Sequence, residues 1–86
     1  MKYLHWQVQA GPDNAVQVSL DSQANVRLLD SVNYATFRRG GRHEYRGGLA
    51  HRSPVTLVPP SHGTWHVVVD RGGYPGSVRA SVQVLG

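Results

Sequence analysis

Apolar and polar residues alternate along most of the chain, and that alternation predicts short β-strands. In the first segment Leu4, Trp6, Val8 and Ala10 share one face, while Tyr3, His5, Gln7 and Gln9 share the other. Gly11-Pro12-Asp13-Asn14 supplies a turn. Val16, Val18 and Leu20 then alternate with Gln17 and Ser19, and the two segments are expected to pair as a hairpin. A third strand is expected from Asn25 to Asp30, with Val26 and Leu28 inward, Arg27 outward and Leu29 ambiguous. Ser31 is placed to cap a short helical turn over Val32 to Phe37, against the poor helix-forming tendency of Val32, Asn33 and Thr36.

Gly40-Gly41 stops that turn, His43-Glu44-Tyr45 amounts to at most a short strand, and Gly47-Gly48 breaks the chain again. Val55 to Val58 reads as a strand fenced by prolines. Thr64 to Asp70 is the strongest β segment, with Trp65, Val67 and Val69 on one face and His66, Val68 and Asp70 on the other. A glycine-rich loop from Arg71 to Gly76 leads to a last strand over Ser77 to Leu85, with Val78, Ala80, Val82 and Val84 inward. Turn signals recur about every ten residues and no strand–helix–strand rhythm is present. The predicted class is all-β: a small antiparallel β-sandwich of about six to eight short strands, with at most one short helical turn.

A chain of 86 residues holds one domain spanning 1–86, and its 40% hydrophobic content suffices for a core without disulfides or metal. The absence of cysteine excludes disulfides and cysteine-based zinc sites, and fits a cytoplasmic setting. The segment Met1 to Gln7 lacks the apolar run of a signal peptide. No stretch reaches the roughly 18 apolar residues of a membrane-spanning helix, so no membrane is expected as a partner.

Charge adds a location. The formal net charge is +4, and five of the nine basic residues lie between Arg38 and Arg52 with Glu44 the one acid among them. Arg39-Gly40-Gly41 and Arg46-Gly47-Gly48 are arginine-diglycine triplets, which Arg71-Gly72-Gly73 repeats. Arginine presents a planar fork of donors to phosphate or carboxylate, and neighbouring glycines let a backbone come close to a ligand. Tyr45 and Tyr74 offer flat faces for stacking. The candidate binding residues are therefore Arg38, Arg39, Arg42, Tyr45, Arg46, Arg52, Arg71 and Tyr74, facing an anionic ligand or a protein partner. The plain alternative is turn structure, because hairpin connections need glycine's positive φ and the arginines can pair with Asp30, Asp70 and Glu44.

Other chemistry is thin. A metal site needs three or four converging ligands, whereas His5, His43, His51, His62 and His66 are scattered. His62 and His66 would stand about 13 Å apart along a strand. No metal and no cofactor is expected. Ser53 or Ser77 can be combined on paper with His66 and Asp70, but no elbow motif marks either serine. The five acids include no close pair suited to acid–base work, so no catalytic residue and no enzyme is expected. Trp6 and Trp65 fall on core faces. Tyr3, Tyr34, Tyr45 and Tyr74 leave carbohydrate stacking open. A buried Arg27–Asp30 or Arg79–Asp70 ion pair would serve to fix strand register.

Four phrases occur in order: Gln23 to Asp30 (QANVRLLD), Gly47 to Val55 (GGLAHRSPV), Gly63 to Asp70 (GTWHVVVD) and Gly73 to Val82 (GYPGSVRASV). Together they resemble an uncharacterised bacterial family, domain of unknown function 1883. The resemblance implies a small, mostly β protein, which in that family stands alone or accompanies a Toll/interleukin-receptor signalling domain. It assigns no catalytic or binding residue. The reading carried forward is a non-enzymatic binding or interaction module, a recognition or sensing domain in bacterial signalling, with the basic loop as contact surface. The alternatives are a single-strand or RNA-binding protein, a structural or homo-oligomerising domain, and a carbohydrate-binding module.

Overall fold

Alternating segments become seven antiparallel strands in the computed structural model, which describes residues 2–86. They are β1 (Leu4–Ala10), β2 (Ala15–Leu20), β3 (Ala24–Asp30), β4 (Arg46–Ala50), β5 (Val55–Leu57), β6 (Gly63–Asp70) and β7 (Ala80–Leu85). One helix, α1 (Ser31–Arg38), follows β3 directly. The strands form two sheets, ordered β1-β6-β3-β4 and β5-β2-β7. Val16, Val18, Val26, Leu28, Trp65, Val67 and Val69 fill the gap between the sheets, and Trp6 and Val8 pack against them from β1. The predicted sandwich is the observed architecture.

A second, smaller core lies on the opposite face of the larger sheet, where α1 packs. Leu29, Val68 and Phe37 are buried there, with Tyr3 and Tyr34 around them. This layer explains why β6 is buried from Trp65 to Asp70 on both faces, and why Leu29 fits no simple alternation. Asp30, not Ser31, is the N-cap: its carboxylate accepts from the Asn33 N–H at 2.8 Å. Ser31 is instead the first helical residue.

Three further expectations are corrected. β1 and β2 do not pair as a hairpin; β1 pairs with β6, while β2 pairs with β5 and β7. The Gly11–Asn14 turn, closed by an Asn14 N–H bond of 3.0 Å to the Gly11 carbonyl, carries the chain from one sheet to the other. An apolar stripe is satisfied equally by a neighbour beside it or by a face opposite it, so periodicity alone did not separate these outcomes. The strand after α1 covers 46–50, not 43–45, and runs through the diglycine expected to break the chain. There Gly47 has φ +115°, and a Cβ would meet the Val26 carbonyl oxygen at 2.2 Å, so only glycine lets β4 lie this close to β3. Finally, β5 ends at Leu57, leaving Val58 exposed, and β7 begins at Ala80, so Val78 packs on the core from a loop; Val84, expected inward, is exposed within β7.

Candidate functional site

The outer face of the larger sheet carries the polar chemistry of the domain. Asn25 of β3 lies opposite Asp70 of β6, and Arg27 lies opposite Val68, which places Arg27 diagonally across from Asp70. Asp70 is a buried residue, at 2% exposure. It accepts from Arg27 Nη1, from Asn25 Nδ2 at 3.1 Å and from the Gly72 N–H at 2.7 Å. The guanidinium of Arg27 also lies 5.6 Å from the Phe37 ring and 5.2 Å from the Tyr45 ring, close enough for cation–π attraction. The ion pair thus joins one member from each of the two pairs suggested by sequence. Asp30 is occupied as the helix cap, and Arg79 meets Asp21 through its backbone N–H.

Beside this pair stands a cluster that sequence reasoning missed. His5 of β1 and His66 of β6 are joined at 2.8 Å between His5 Nε2 and His66 Nδ1. The other nitrogen of His66, Nε2, is 3.0 Å from Ser31 Oγ. The Tyr34 ring lies parallel to both imidazoles within 8°, 4.3 Å from His5 and 4.4 Å from His66. Arg38 lies 5.9 Å from the Tyr34 ring. The one sequence signal was that His5 and His66 both fall on the side of their strands away from the main core. Nothing in a one-dimensional pattern says that β1 and β6 are neighbours. The triad drawn on paper does not form: His66 meets Ser31 and His5, Asp70 meets Arg27, and Ser53 Oγ accepts from the Leu20 N–H at 2.8 Å.

The two histidines constrain each other's protonation. Both point a nitrogen at the same short contact, so one proton at most can occupy it. Burial pushes His66 below its ordinary value of 6.5, His5 pushes it further in the same direction, and Asp30 opposes them. Burial, then the Arg38 charge, lowers His5. The unfolded chain therefore takes up protons at a higher pH than the folded one, and stability falls as pH drops below about 6.5. The thermal midpoint is expected to be lower at pH 5.5 than at pH 7.5, and this difference should shrink in His66→Gln. A midpoint equally pH-dependent in that variant would contradict the assignment.

The structure divides the candidate arginines into two groups. Arg38 ends α1, Arg39 is its C-cap, Arg42 lies in the following loop and Arg46 opens β4, all of them exposed. Tyr45 lies between them at 46% exposure. Arg52 lies past the far end of β4, in the exposed link to β5, and Arg71 opens the β6–β7 connection. There Arg71 donates to Ser22 Oγ at 3.1 Å, to the Gln23 carbonyl at 3.4 Å and to the Pro75 carbonyl at 3.4 Å. Arg71 therefore holds its own loop together, while Tyr74 projects at 74% exposure. This loop borders two clefts, one of about 790 Å³ that includes Tyr3, Asp70, Tyr74 and Val78 and one of about 360 Å³ that includes Asn25 and Leu49. The Arg71–Gly76 loop meets β4 away from Arg46, where Leu49 shares the smaller cleft with Arg71 and Tyr74.

Among the described residues no three His, Asp or Glu side chains converge as metal ligands. No helix is long and apolar enough to cross a membrane. No curated protein and no solved structure matches the chain. The family model of the domain of unknown function DUF1883 matches residues 1–86, the whole length, and the chain belongs to that family.

Proposed function

We propose that the domain is a binding module that holds an acidic protein segment against the strip from Arg38 to Arg46. The carrying observation is uncompensated charge. Arg38, Arg39, Arg42 and Arg46 are all exposed, yet the ion pairs among the described residues involve Arg27 with Asp70 and His62 with Asp13. β4 is an outer strand of its sheet, so a partner segment can pair its backbone with the open edge while its carboxylates meet the arginine forks. The Tyr45 ring, which a nucleic-acid reading would use for stacking, already has the Arg27 guanidinium 5.2 Å from its centre. We place such a module in the cytoplasm, where a cysteine-free chain is at home, and in a recognition or sensing step of signalling, as the family resemblance implies.

The test is a titration of the intact domain with a fluorescent glutamate-rich peptide and, separately, with oligothymidine. Reversing Arg39, Arg42 and Arg46 together to Glu should weaken peptide binding by about tenfold or more, equivalent to about 1.4 kcal/mol, with circular dichroism unchanged. Peptide affinity untouched by the triple reversal would refute the proposal. Tight, steeply salt-dependent oligothymidine binding without peptide binding would move the function to nucleic acid.

A further inference from the structure

We propose that Ser31 is a nucleophile, with His66 as its general base and His5 orienting that base, and that it accepts an acyl group from a small activated ester. The site lies outside the arginine strip, does not depend on it, and departs from the sequence expectation of no catalytic residue. Its parts stand in the order that nucleophilic catalysis requires. Ser31 Oγ is 3.0 Å from His66 Nε2, and His66 Nδ1 is 2.8 Å from His5 Nε2. Ser31 is exposed to an incoming substrate, whereas His66 behind it is buried at 6% exposure.

Two observations argue that the serine hydroxyl is not there to support the helix. Asp30 already provides the cap through the Asn33 N–H, so the Ser31 hydroxyl is not needed at a helix terminus, where serine usually works. It is spent on an imidazole instead. That imidazole is held in line as well: Tyr34 covers both histidine rings, parallel within 8°, so turning either ring out of the hydrogen-bonded row also loses the stacking contact. The first position of α1 adds a favourable field for negative charge developing on an acyl oxygen.

The proton bookkeeping closes with both rings neutral. With a proton on His66 Nδ1 donated to His5 Nε2, His66 Nε2 has a free lone pair and accepts from the Ser31 hydroxyl. Attack forms the Ser31 Oγ–carbonyl bond while the hydroxyl proton moves to His66 Nε2. Collapse breaks the ester bond, and the departing oxygen takes that proton. Water then repeats the sequence on the acyl-serine, releasing the acid and restoring the hydroxyl. The groups facing His66 are His5 from β1, Ser31 and Tyr34 from α1, and Asp30 at the end of β3, with Arg38 beyond Tyr34. Asp30 favours the transient imidazolium and His5 opposes it.

The experiment treats the full chain with a fluorophosphonate, where the Oγ–P bond replaces P–F and fluoride leaves, and in parallel with 4-nitrophenyl acetate. Intact mass and peptide mapping should show one phosphonyl group on Ser31 and none in Ser31→Ala, an exposed substitution that leaves the fold in place. His66→Gln should slow nitrophenol release about a hundredfold. In the native chain the midpoint of the fall in rate on acidification should lie below the ordinary imidazole value of 6.5, and in His5→Gln it should move to higher pH because a group that lowers His66 is gone. No adduct on Ser31, equal labelling of Ser31→Ala, or an undiminished rate in His66→Gln would each overturn the proposal.

Discussion

Arg27→Met is expected to cost the domain about 3–5 kcal/mol of folding stability, because it strands a buried carboxylate. The Asp70 side chain is at 0% exposure and the Arg27 side chain at 19%, so the arginine is the group through which that charge is compensated. Methionine fills the volume of the aliphatic stem but supplies no donor, which leaves Asp70 with the Asn25 amide and the Gly72 N–H. An 86-residue chain has a total stability on the order of 4–13 kcal/mol, so the variant should be largely unfolded at modest urea concentrations. Urea unfolding followed by circular dichroism measures this directly. The double variant Arg27→Met with Asp70→Leu should recover most of the loss, since an apolar pair no longer buries an unpaired charge. If the double variant is as unstable as the single one, the contacts of Arg27 with Phe37 and Tyr45 carry the energy and the ion pair does not.

The second large effect is expected at Leu29. Leu29→Ala should lose about 2–5 kcal/mol, the range for emptying a fully buried leucine site, and should lose it in a particular place. Leu29 is at 0% exposure in the small core with Phe37 and Val68, where α1 meets the sheet. Leu28, its neighbour, is also at 0% exposure but lies between the two sheets. Leu28→Ala should therefore weaken the whole sandwich, whereas Leu29→Ala should release α1 first. Hydrogen exchange separates them: amides of 34–38 should lose protection in Leu29→Ala by more than those of β6, and by similar amounts to β6 in Leu28→Ala. Uniform loss of protection in both variants would mean that α1 and the sandwich form one cooperative unit. Released α1 also takes Ser31 and Tyr34 away from His66, so fluorophosphonate labelling should fall together with helix protection.

Much of this architecture is written in period-two alternation. Val16 with Val18, Val26 with Leu28, and Trp65 with Val67 and Val69 are core pairs on the face that the pattern assigns them. The alternation also separates His5 and His66 from the main core. These conclusions follow locally, because successive side chains of a strand must point to opposite faces. The arginines from Arg38 to Arg46 are exposed as their charge requires, and the helix lies within two residues of its expected start.

Which strand lies beside which is a different kind of information. Two amphipathic segments joined by a four-residue turn suit a hairpin, yet between β1 and β2 the chain crosses from one sheet to the other. Pairing partners are chosen by the best joint burial of all seven strands, and no single segment records that sum. The consequences all sit on the outer face of the larger sheet. Arg27 reaches Asp70 across 43 residues, and His5 reaches His66 across 61, because β6 lies between β1 and β3. Gly47-Gly48 looked like a break, but the close approach of the Val26 carbonyl makes it part of a strand. The residue types and their facing were determined by the sequence alone; the ion pair, the imidazole row behind Ser31 and the meeting of β4 with the Arg71–Gly76 loop were decided by the tertiary structure, since each depends on contacts between segments far apart in the chain.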